Sequence, residues 1–311
     1  MNPILEVKNV VKQYGNYTAL NKVSLSVQKG SIYGLLGPNG AGKTSLIRII
    51  NQITMPDSGQ VFLDGEILQP KHVQQIGYMP EERGLYKSMK VGEQCLYLAQ
   101  LKGLSKTEAK KQLDYWFDKL EIQGWWNKKI EELSKGMAQK IQFVVCVLHQ
   151  PKLLIFDEPF SGFDPVNANL IKDEILELKQ KGATIIFSTH RMESVEELCD
   201  EIALIHKSNK LLDGKINDIK KQFRTHSYEV GILPFDCAQG DKNSFVISEL
   251  SQKFKISKTY FKSLNDELQL DVEIGNSSSN ELLNILTNNG IVTHFVEKIP
   301  SVNDIFIQTV S

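Results

Sequence analysis

The sequence predicts an α/β protein built on a parallel sheet, followed by a small α+β domain. From residue 152 onward, short continuous apolar segments (KLLIF, ATIIFST and EIALIH) alternate with segments of helical spacing. Continuous apolar strands followed by helices are typical of a parallel sheet covered on both faces. Near residue 220 the pattern changes, and residues 226–311 contain fewer buried-strand segments. The length of 311 residues fits one large domain with a smaller one.

The strands and helices follow a clear order along the chain. Residues 4–35 contain apolar segments separated by Gly and Asn turns (ILEVKNVV, VSLSV and SIYGLL), which predict strands. The next segment, LLGPNGAGKTSLIRIINQI, changes to helical spacing, and residues 90–147 are mostly helical. KKQFRTH is interpreted as a linker. After it, YEVGIL, KFKISKTYF, ELQLDVEI and IVTHFVEK predict strands, while NELLNILTNNG and PSVNDIFIQTV predict helices.

The composition excludes several classes of protein. With a formal net charge of -1, the chain has no global attraction to nucleic acid or to an anionic membrane surface. The N-terminus lacks the regions of a signal peptide, and no apolar segment approaches the ~20 residues that span a bilayer. The chain is therefore predicted not to cross a membrane by itself. The scattered cysteines indicate reduced thiols in a cytosolic protein rather than disulfides or a zinc site: Cys95, Cys146, Cys199 and Cys237.

Residues 37–44, GPNGAGKT, match a phosphate-binding loop in full. The loop lies between a predicted strand and a predicted helix, a context in which its glycines let backbone N–H groups surround phosphates. Lys43 adds positive charge at the β- and γ-phosphates, and the Thr44 hydroxyl can ligate Mg²⁺. A glycine-rich turn without a ligand is disfavoured because every required position is filled. The residues expected to bind the nucleotide in this loop are Gly37, Pro38, Asn39, Gly40, Ala41, Gly42, Lys43, Thr44 and Ser45.

Two adjacent carboxylates, Asp157 and Glu158, follow the apolar segment LLIF. The carboxyl end of such a strand lies beside the phosphate loop, so Asp157 is expected to hold Mg²⁺ through a water molecule. Glu158 is expected to reach the water opposite the γ-phosphate as a general base, which contributes on the order of 10²–10⁴ in rate. The alternative is an acidic strand end closed by a proline, and the phosphate loop disfavours it.

Two more polar residues follow these carboxylates. His190 ends the next apolar strand, ATIIFSTH, where a neutral imidazole could reach the γ-phosphate or hold the attacking water. A lone histidine at a strand end is more often a packed or surface residue, but the neighbouring strands favour function. Asp164, in SGFDP, has two compatible interpretations: an N-cap for the helix that begins at Pro165, and a functional contact.

The segment LSKGMAQK, residues 133–140, opens an apolar helix. Ser134 suits the N-cap of that helix, and Gly136 allows close approach of the backbone. Lys135 is unusual because a cation in the first turn faces the positive end of the helix dipole, at a cost of roughly 0.3–1 kcal/mol. An anion bound at the start of the helix would explain its presence. The segment therefore predicts a second phosphate contact, far along the chain from the first.

These motifs in this order resemble the ATP-binding cassette of ABC transporters over about residues 1–220. The resemblance implies a P-loop NTPase cassette, in which a parallel core sheet carries an antiparallel β subdomain and a helical subdomain at about 84–147. Residues 221–311 would then be a carboxyl-terminal accessory domain. The resemblance also implies that Tyr14, in KQYGNYTAL, stacks on adenine. It identifies LSKGM as the signature loop, SGFD as the loop that crosses the dimer interface, and His190 as the switch histidine.

The same resemblance implies cofactors and partners. In this family two cassettes pair head to tail, so the signature loop of one subunit caps the γ-phosphate held by the other. The implied cofactors are ATP and Mg²⁺, and the implied partners are a second copy of the chain, paired in the presence of ATP, and a separate transmembrane permease. No nucleic acid is expected. The chain would lie in the cytoplasm, at the inner face of the cell membrane, through its permease.

The resemblance assigns roles to individual residues as well. The implied catalytic residues are Lys43, Glu158 and His190. The implied metal ligands are Thr44, Glu81 and Asp157. The implied contacts to the nucleotide of the partner are Ser134, Lys135, Gly136 and Asp164.

Two positions depart from the usual pattern of the family. The signature is usually LSGGQ, and in this chain Lys135 and Met137 replace one Gly, the first of the pair, and the Gln. Gly136 preserves close backbone approach, and Lys135 is expected to add charge to the phosphate contact. In IGYMPE, Glu81 stands where the family commonly has Gln. Glu81 keeps an oxygen ligand for Mg²⁺ but adds a negative charge and removes an amide donor.

A narrower resemblance rests on IGYMPEERGLYKSMKV, the LSKGM signature and the extension that ends in PSVNDIFIQ. Together they resemble the ATPase subunits of bacterial ABC-2-type exporters, especially the sodium-extruding kind. The expected function is ATP hydrolysis that powers export through a separate permease, with sodium ions as the candidate cargo.

Other classes of function compete with this expectation. A soluble cassette acting on DNA needs a long coiled coil between phosphate loop and signature, and this sequence has no sustained heptad pattern. Ribosome-acting types carry two cassettes per chain, whereas this chain has one phosphate loop. A regulatory module without turnover is disfavoured because the phosphate-loop lysine, both carboxylates and the switch histidine are all present.

Overall fold

The computed structural model describes residues 3–81, 84–235, 242–263 and 267–310. The chain folds into two compact units, Met1–Ile216 with Phe306–Ser311, and Asn217–Ile305. This division lies close to the change of pattern near residue 220, and the domain limits 1–220 and 221–311 stay predictions. Cys237 and two residues of the IGYMPEERGLYKSMKV segment lie outside the described residues. The cysteines within the described residues are free thiols.

Strands and helices follow one another along both units. The described strands are β1 (Leu5–Tyr14), β2 (Tyr17–Val27), β3 (Ile32–Leu36), β4 (Ser58–Leu63), β5 (Glu66–Ile67), β6 (Ile76–Met79), β7 (Leu153–Asp157), β8 (Thr184–Thr189), β9 (Glu201–His206), β10 (Asn209–Lys215), β11 (Ser227–Pro234), β12 (Lys255–Lys258), β13 (Leu268–Glu273) and β14 (Gly290–Glu297). The described α-helices are α1 (Lys43–Ile50), α2 (Val91–Leu101), α3 (Lys106–Lys119), α4 (Lys135–Val147), α5 (Pro165–Gln180), α6 (Met192–Leu198), α7 (Ile216–Gln222), α8 (Lys242–Ser251), α9 (Ser279–Asn289) and α10 (Val302–Val310). Within the described ranges, no helix combines the length and the apolar character needed to span a bilayer.

The central sheet of the larger unit has the strand order β10-β9-β3-β8-β7-β6. Its strands run parallel from β9 to β6, and β10 pairs antiparallel with β9. Strands β3, β7 and β8 are buried along their whole length, which explains their continuously apolar sequences. The predicted α/β fold is confirmed. Because Leu36 pairs with Thr189 and Asp157 pairs with Ser188, the phosphate loop, the two carboxylates and His190 leave the sheet at the same edge.

A second, antiparallel sheet has the order β2-β1-β4-β5. It contains the first two of the three strands predicted between residues 4 and 35, and the third, SIYGLL, is β3 of the central sheet. One hydrophobic cluster combines buried residues of this sheet, such as Leu5 and Val61, with Ile47 of α1 and Ile155 of β7. Both sheets and the first helix therefore share one core. This shared packing holds α1, and with it the phosphate loop, in place.

Helices α2, α3 and α4 form the helical region expected from the sequence. Helix α3 begins with a capping box, in which Ser105 Oγ accepts from the Glu108 N–H at 3.2 Å and the Glu108 carboxylate accepts from the Ser105 N–H at 2.9 Å. Trp116 is 5% exposed, and its ring meets Phe143 edge-on with 5.7 Å between centroids. Phe143 stacks on Phe156 of β7 at the same separation. A line of aromatic rings thus connects the helical region to the core sheet.

Replacing Gly92 by alanine is expected to destabilise this helical region. A Cβ at Gly92 would lie 2.3 Å from Cε2 of the Trp126 ring, which packs edge-on against Phe117. Overpacking of this kind costs about 1–3 kcal/mol. Gly124→Ala is the matched control, because a Cβ there meets no atom within 4 Å. Chemical denaturation of the full-length variants checks the prediction, and equal stability of the two would contradict the close packing of Trp126 on Gly92.

The smaller unit has an antiparallel sheet of order β12-β13-β11-β14. Its elements occur as β11-α8-β12-β13-α9-β14, which is the ferredoxin-like βαββαβ arrangement. A separate hydrophobic cluster includes Val230 and Val272 of the sheet, Leu250 of α8 and Leu286 of α9. The predicted α+β character is therefore confirmed, and this unit has a core of its own.

The structure differs from the sequence expectation in three places in this part of the chain. The segment KNSFVISELS forms α8, which the sequence reasoning missed because its Val and Ile residues do not favour helix strongly. The expected linker KKQFRTH is helical at its start, because α7 continues to Gln222. The expected strand KFKISKTYF is reduced to Lys255–Lys258, the residues that pair with β13.

Candidate functional site

A cavity of about 280 Å³ lies at the carboxyl edge of the central sheet. It is formed where β3, β7 and the start of α1 come together next to β2. The residues that line it are Tyr17, Ala19, Pro38, Asn39, Gly40, Ala41, Gly42, Lys43, Thr44, Ser45, Glu81, Asp157 and Glu158. The structure therefore brings together nearly the whole phosphate loop, the two strand-end carboxylates and Glu81, as the sequence predicted from separate segments.

The phosphate loop needs glycine at defined points. Gly37 and Gly42 have φ values of +146° and +117°, a region that side chains rarely adopt. A Cβ at Gly37 would lie 2.1 Å from the carbonyl oxygen of Ile205, and one at Gly42 would lie 2.3 Å from that of Ala19. The backbone is thus pressed against β9 and β2. This tight curvature allows successive N–H groups to face an anion in the cavity.

Lys43 is buried in the middle of the loop, with 7% of the residue exposed. Its ammonium donates to the carbonyl oxygens of Gly37 at 2.6 Å and Pro38 at 3.2 Å. Burial lowers the pKa of Lys43, while the carboxylates of Glu158 and Asp157 oppose that change. The side chain thus places a cation where the phosphates of a nucleotide would lie.

Asp157 and Glu158 face the cavity from the end of β7 and are only 4% and 7% exposed. Burial raises the pKa of Asp157, and the negative charges of Glu158 and Glu81 raise it further. A cation bound beside them would relieve this accumulation of negative charge. Among the described residues, no cluster of three or more His, Cys, Asp and Glu side chains forms a metal site. The oxygen donors of Thr44, Asp157 and Glu81 nevertheless fit Mg²⁺, which commonly uses one or two carboxylates with substrate phosphates and water.

Glu158 is held by residues at the end of β8 and directly after it. Its Oε1 accepts from the His190 N–H at 2.8 Å and lies 2.6 Å from His190 Nδ1, and its Oε2 accepts from the Thr189 hydroxyl at 3.1 Å. Because an ionised carboxylate only accepts hydrogen bonds, the imidazole donates from Nδ1. Glu158 also has a φ of 49°, an uncommon backbone conformation for this residue type. The side chain is thus oriented by several groups at once, which is typical of a functional carboxylate.

The two predicted helix caps are present. Ser134 Oγ accepts from the Met137 N–H at 3.2 Å at the start of α4. Asp164 Oδ1 accepts from the N–H groups of Val166 and Asn167 at 3.0 Å each at the start of α5. Neither these caps nor the adjacent Lys135 and Gly136 line the cavity of their own chain. Their proposed contacts to a nucleotide stay predictions.

The adenine contact also stays a prediction. Tyr14 is 46% exposed and is not among the residues that line the cavity. Tyr17 lines the cavity, and its hydroxyl donates to the Gly40 carbonyl at 2.6 Å. Sequence reasoning missed Tyr17, although the two tyrosines pair directly across the hairpin between β1 and β2. The second aromatic residue in KQYGNYTAL was the signal that could have indicated it.

Comparisons with known proteins agree with this geometry. Residues 20–161 match a family model described as ABC transporter, and residues 214–310 match one described as ATP-binding protein DrrA1-3-like, C-terminal domain. YhaQ of Bacillus subtilis, called an uncharacterized ABC transporter ATP-binding protein, is 40% identical over 310 residues, which cover 99% of this chain and 98% of the relative. The linearmycin resistance ATP-binding protein LnrL of the same organism is 35% identical over 219 residues, 70% of each protein.

A solved structure extends the comparison to the fold. An ATP-binding subunit of an ABC transporter is 33% identical to this chain and matches it with a TM-score of 0.66. The matched region covers 71% of this chain and 93% of that subunit. The likeness thus includes almost the whole of that subunit. On the strength of the sheet topology, the phosphate loop, the paired carboxylates and these relatives, the chain belongs to the ABC transporter ATP-binding proteins of the ABC-2 exporter type, which are ATPases coupled to transport.

Proposed function

We propose that the chain hydrolyses Mg-ATP as a head-to-tail homodimer and thereby drives export through a separate membrane permease. The observation that carries this proposal is the pair Glu158 and His190, 2.6 Å apart beside the phosphate-loop cavity. A binding module without turnover would not need a buried carboxylate oriented by three donors next to its nucleotide. This geometry fits a general base that is already positioned for an attacking water.

Each residue of the cavity has a defined task in this proposal. The phosphate loop binds the β- and γ-phosphates through backbone N–H groups, and Lys43 adds its ammonium. Mg²⁺, held by Thr44, Asp157 and Glu81, would neutralise charge on the phosphate oxygens. Glu158 orients a water and accepts its proton, and His190 keeps the carboxylate in place through Nδ1. These contributions are mainly positioning and electrostatic stabilisation, as expected for phosphoryl transfer.

The homodimer is proposed because the signature loop of one chain does not reach the phosphate-loop cavity of that chain. The signature residues Ser134, Lys135 and Gly136 lie outside the cavity of their own chain, although the exposed start of α4 suits an anion. In a two-fold pair, the same surface would be used twice, and each α4 would face the nucleotide of the other subunit. Two ATP molecules would then be enclosed between two identical surfaces.

The proposed permease contact lies between the core sheet and the helical region. A second cavity, of about 440 Å³, is lined mainly by apolar side chains that include Tyr78, Leu85, Leu98 and Leu101. Lys102 also lines it, and its ammonium donates to two backbone carbonyl oxygens, one at the start of β6 and one in the segment before it. This groove suits an amphipathic segment of a membrane protein. The chain would then lie at the inner face of the cell membrane through its permease.

The test is transport by the complex. The full chain would be co-expressed with a candidate permease, chosen as a membrane protein from a neighbouring gene, and inverted membrane vesicles would be given Mg-ATP. ATP-dependent uptake that needs both proteins is expected, and labelled sodium is the first cargo to measure because the sequence resembles sodium-extruding exporters. If the vesicles take up another compound and no sodium, sodium is rejected as the cargo, and the proposed role in export stands. Failure of the two proteins to associate or to respond to ATP would contradict the proposal.

A further inference from the structure

The signature helix α4 contacts the SGFD loop, Ser161–Asp164, within the same chain. The aliphatic part of Lys135 lies directly over Gly162: a Cβ placed on that glycine would be 2.3 Å from Lys135 Cε and 2.6 Å from Lys135 Cδ. One turn later, the Gln139 side-chain amide donates to the carbonyl oxygen of Ser161. Gln139 is 4% exposed, so this hydrogen bond is shielded from water. Two side chains of one helix therefore hold two adjacent residues of the loop.

The loop is connected in turn to the proposed base. The Ser161 N–H donates to the carbonyl oxygen of Glu158 at 3.0 Å, and the Phe163 N–H donates to that of Phe160 at 3.3 Å. Gly162 has a φ of +102°, and Glu158 has a φ of 49°. The φ of Glu158 is uncommon for a residue with a side chain and persists only where the surroundings determine it, whereas the φ of Gly162 is ordinary for glycine and disfavours other residues. A change at Gly162 would therefore be felt at the backbone of Glu158.

We infer that Lys135 is a positioning residue that acts within its own subunit: its aliphatic chain packs on Gly162 and, with Gln139, fixes the SGFD loop and hence the orientation of Glu158. The inference rests on the proposed function in that Glu158 is the base. It differs from the charge contact to the phosphate of the partner, because it depends on the methylene groups rather than on the ammonium. Lysine is suited to this arrangement, since its stem can cover apolar surface while the charged end stays in water.

The residue type at position 162 supports this assignment. Lys135 Cε, Cδ and Nζ would all lie within 2.9 Å of a Cβ at position 162. A Cβ at position 162 would therefore displace the end of the Lys135 side chain from its place over the loop. Lys135 in the signature and Gly162 in the loop thus pack together, although they are 27 positions apart in sequence.

Lys135→Ala and Lys135→Met separate the two roles of Lys135. The alanine variant removes the stem, and kcat for ATP is expected to fall on the order of 10-fold with little change in KM, because the base is misplaced rather than the nucleotide lost. The methionine variant keeps the stem without the charge and is expected to recover most of the lost kcat. If both variants instead raise KM for ATP alike, the charge contacts phosphate and the inference is overturned.

A double-mutant cycle tests the contact itself. Gly162→Ala places a Cβ against the lysine stem, and its effect on kcat is expected to be smaller in the Lys135→Ala background than in the wild type. Part of the effect should persist, because the positive φ at position 162 disfavours alanine in either background. Fully additive effects would show that the two residues do not interact and would overturn the inference.

Hydrogen exchange at the SGFD loop gives a readout that does not need catalysis. In the full chain without nucleotide, the amides of Ser161 and Phe163 are expected to exchange faster in Lys135→Ala than in wild type, and Lys135→Met should restore their protection. Unchanged exchange in the alanine variant would overturn the inference even if the chain hydrolyses ATP. If the wild type does not hydrolyse ATP but the exchange pattern is the expected one, the proposed function is rejected and the contact between Lys135 and the loop stands.

Discussion

Glu158→Gln is expected to lower ATP turnover by on the order of 10²–10⁴-fold, because an amide cannot accept the proton of the attacking water. Glutamine has nearly the same shape as glutamate, and its carbonyl oxygen can still accept from the His190 N–H that now lies 2.8 Å from Glu158 Oε1. Nucleotide binding should therefore persist. The variant should accumulate as a dimer that encloses unhydrolysed ATP, since closure no longer leads to hydrolysis.

The measurements are steady-state ATP hydrolysis and size-exclusion chromatography with light scattering, with and without Mg-ATP. Glu193→Gln is the control, because it makes the same chemical change at an exposed position in the first turn of α6. Normal turnover in Glu158→Gln would contradict its assignment as the base. An ATP-bound monomer would show that pairing needs the permease or that Lys135 and Met137 have altered the signature. A dimer in both conditions would indicate another pairing surface.

Lys43→Met is expected to weaken ATP binding by about 10- to 100-fold, because a charge-assisted hydrogen bond contributes roughly 1.5–3 kcal/mol. Methionine keeps most of the side-chain length, and its apolar end suits a position that is 7% exposed. It also removes the counter-charge that faces Glu158 and Asp157. Without that charge, repulsion between the phosphates and the carboxylates should increase. The free energy of ATP binding should therefore change more than the free energy of unfolding.

Isothermal titration with Mg-ATP in the Glu158→Gln background measures this loss without hydrolysis. Lys128→Met, a change at an exposed lysine of the helical region, controls for the loss of one positive charge. Thermal unfolding of both variants shows whether the fold is intact. Equal affinity in the two variants would mean that the phosphates of ATP do not lie at the loop that contains Lys43.

Much of the site could be predicted from the sequence because its parts are local. The loop that holds Lys43 needs only consecutive residues, a preceding strand and a following helix, and these have short-range signals. Asp157 and Glu158 follow a strand that is apolar along its whole length, and such strands occur in parallel sheets. Parallel strands end at one edge, so the loop and the carboxylates were expected together. The caps at Ser134 and Asp164 are equally local.

Other features could not be predicted because they join residues that are distant in sequence. The contact between Glu158 and His190 depends on β7 and β8 being neighbours with Asp157 opposite Ser188. Sequence patterns identify strands without giving their order in the sheet. The position of Tyr17 against Gly40 depends on how the β1–β2 hairpin packs on the phosphate loop. The family resemblance named Tyr14, whose contact to adenine stays a prediction.

By itself the sequence determined the chemistry available to this protein: a phosphate loop, two carboxylates, a histidine at a strand end and a signature with lysine in place of glycine. Only the tertiary structure decided how these groups act on one another. It placed His190 on Glu158, and it laid the stem of Lys135 across Gly162. The physical reason is that residue type and periodicity set local conformation, whereas strand order and side-chain packing set which distant groups meet.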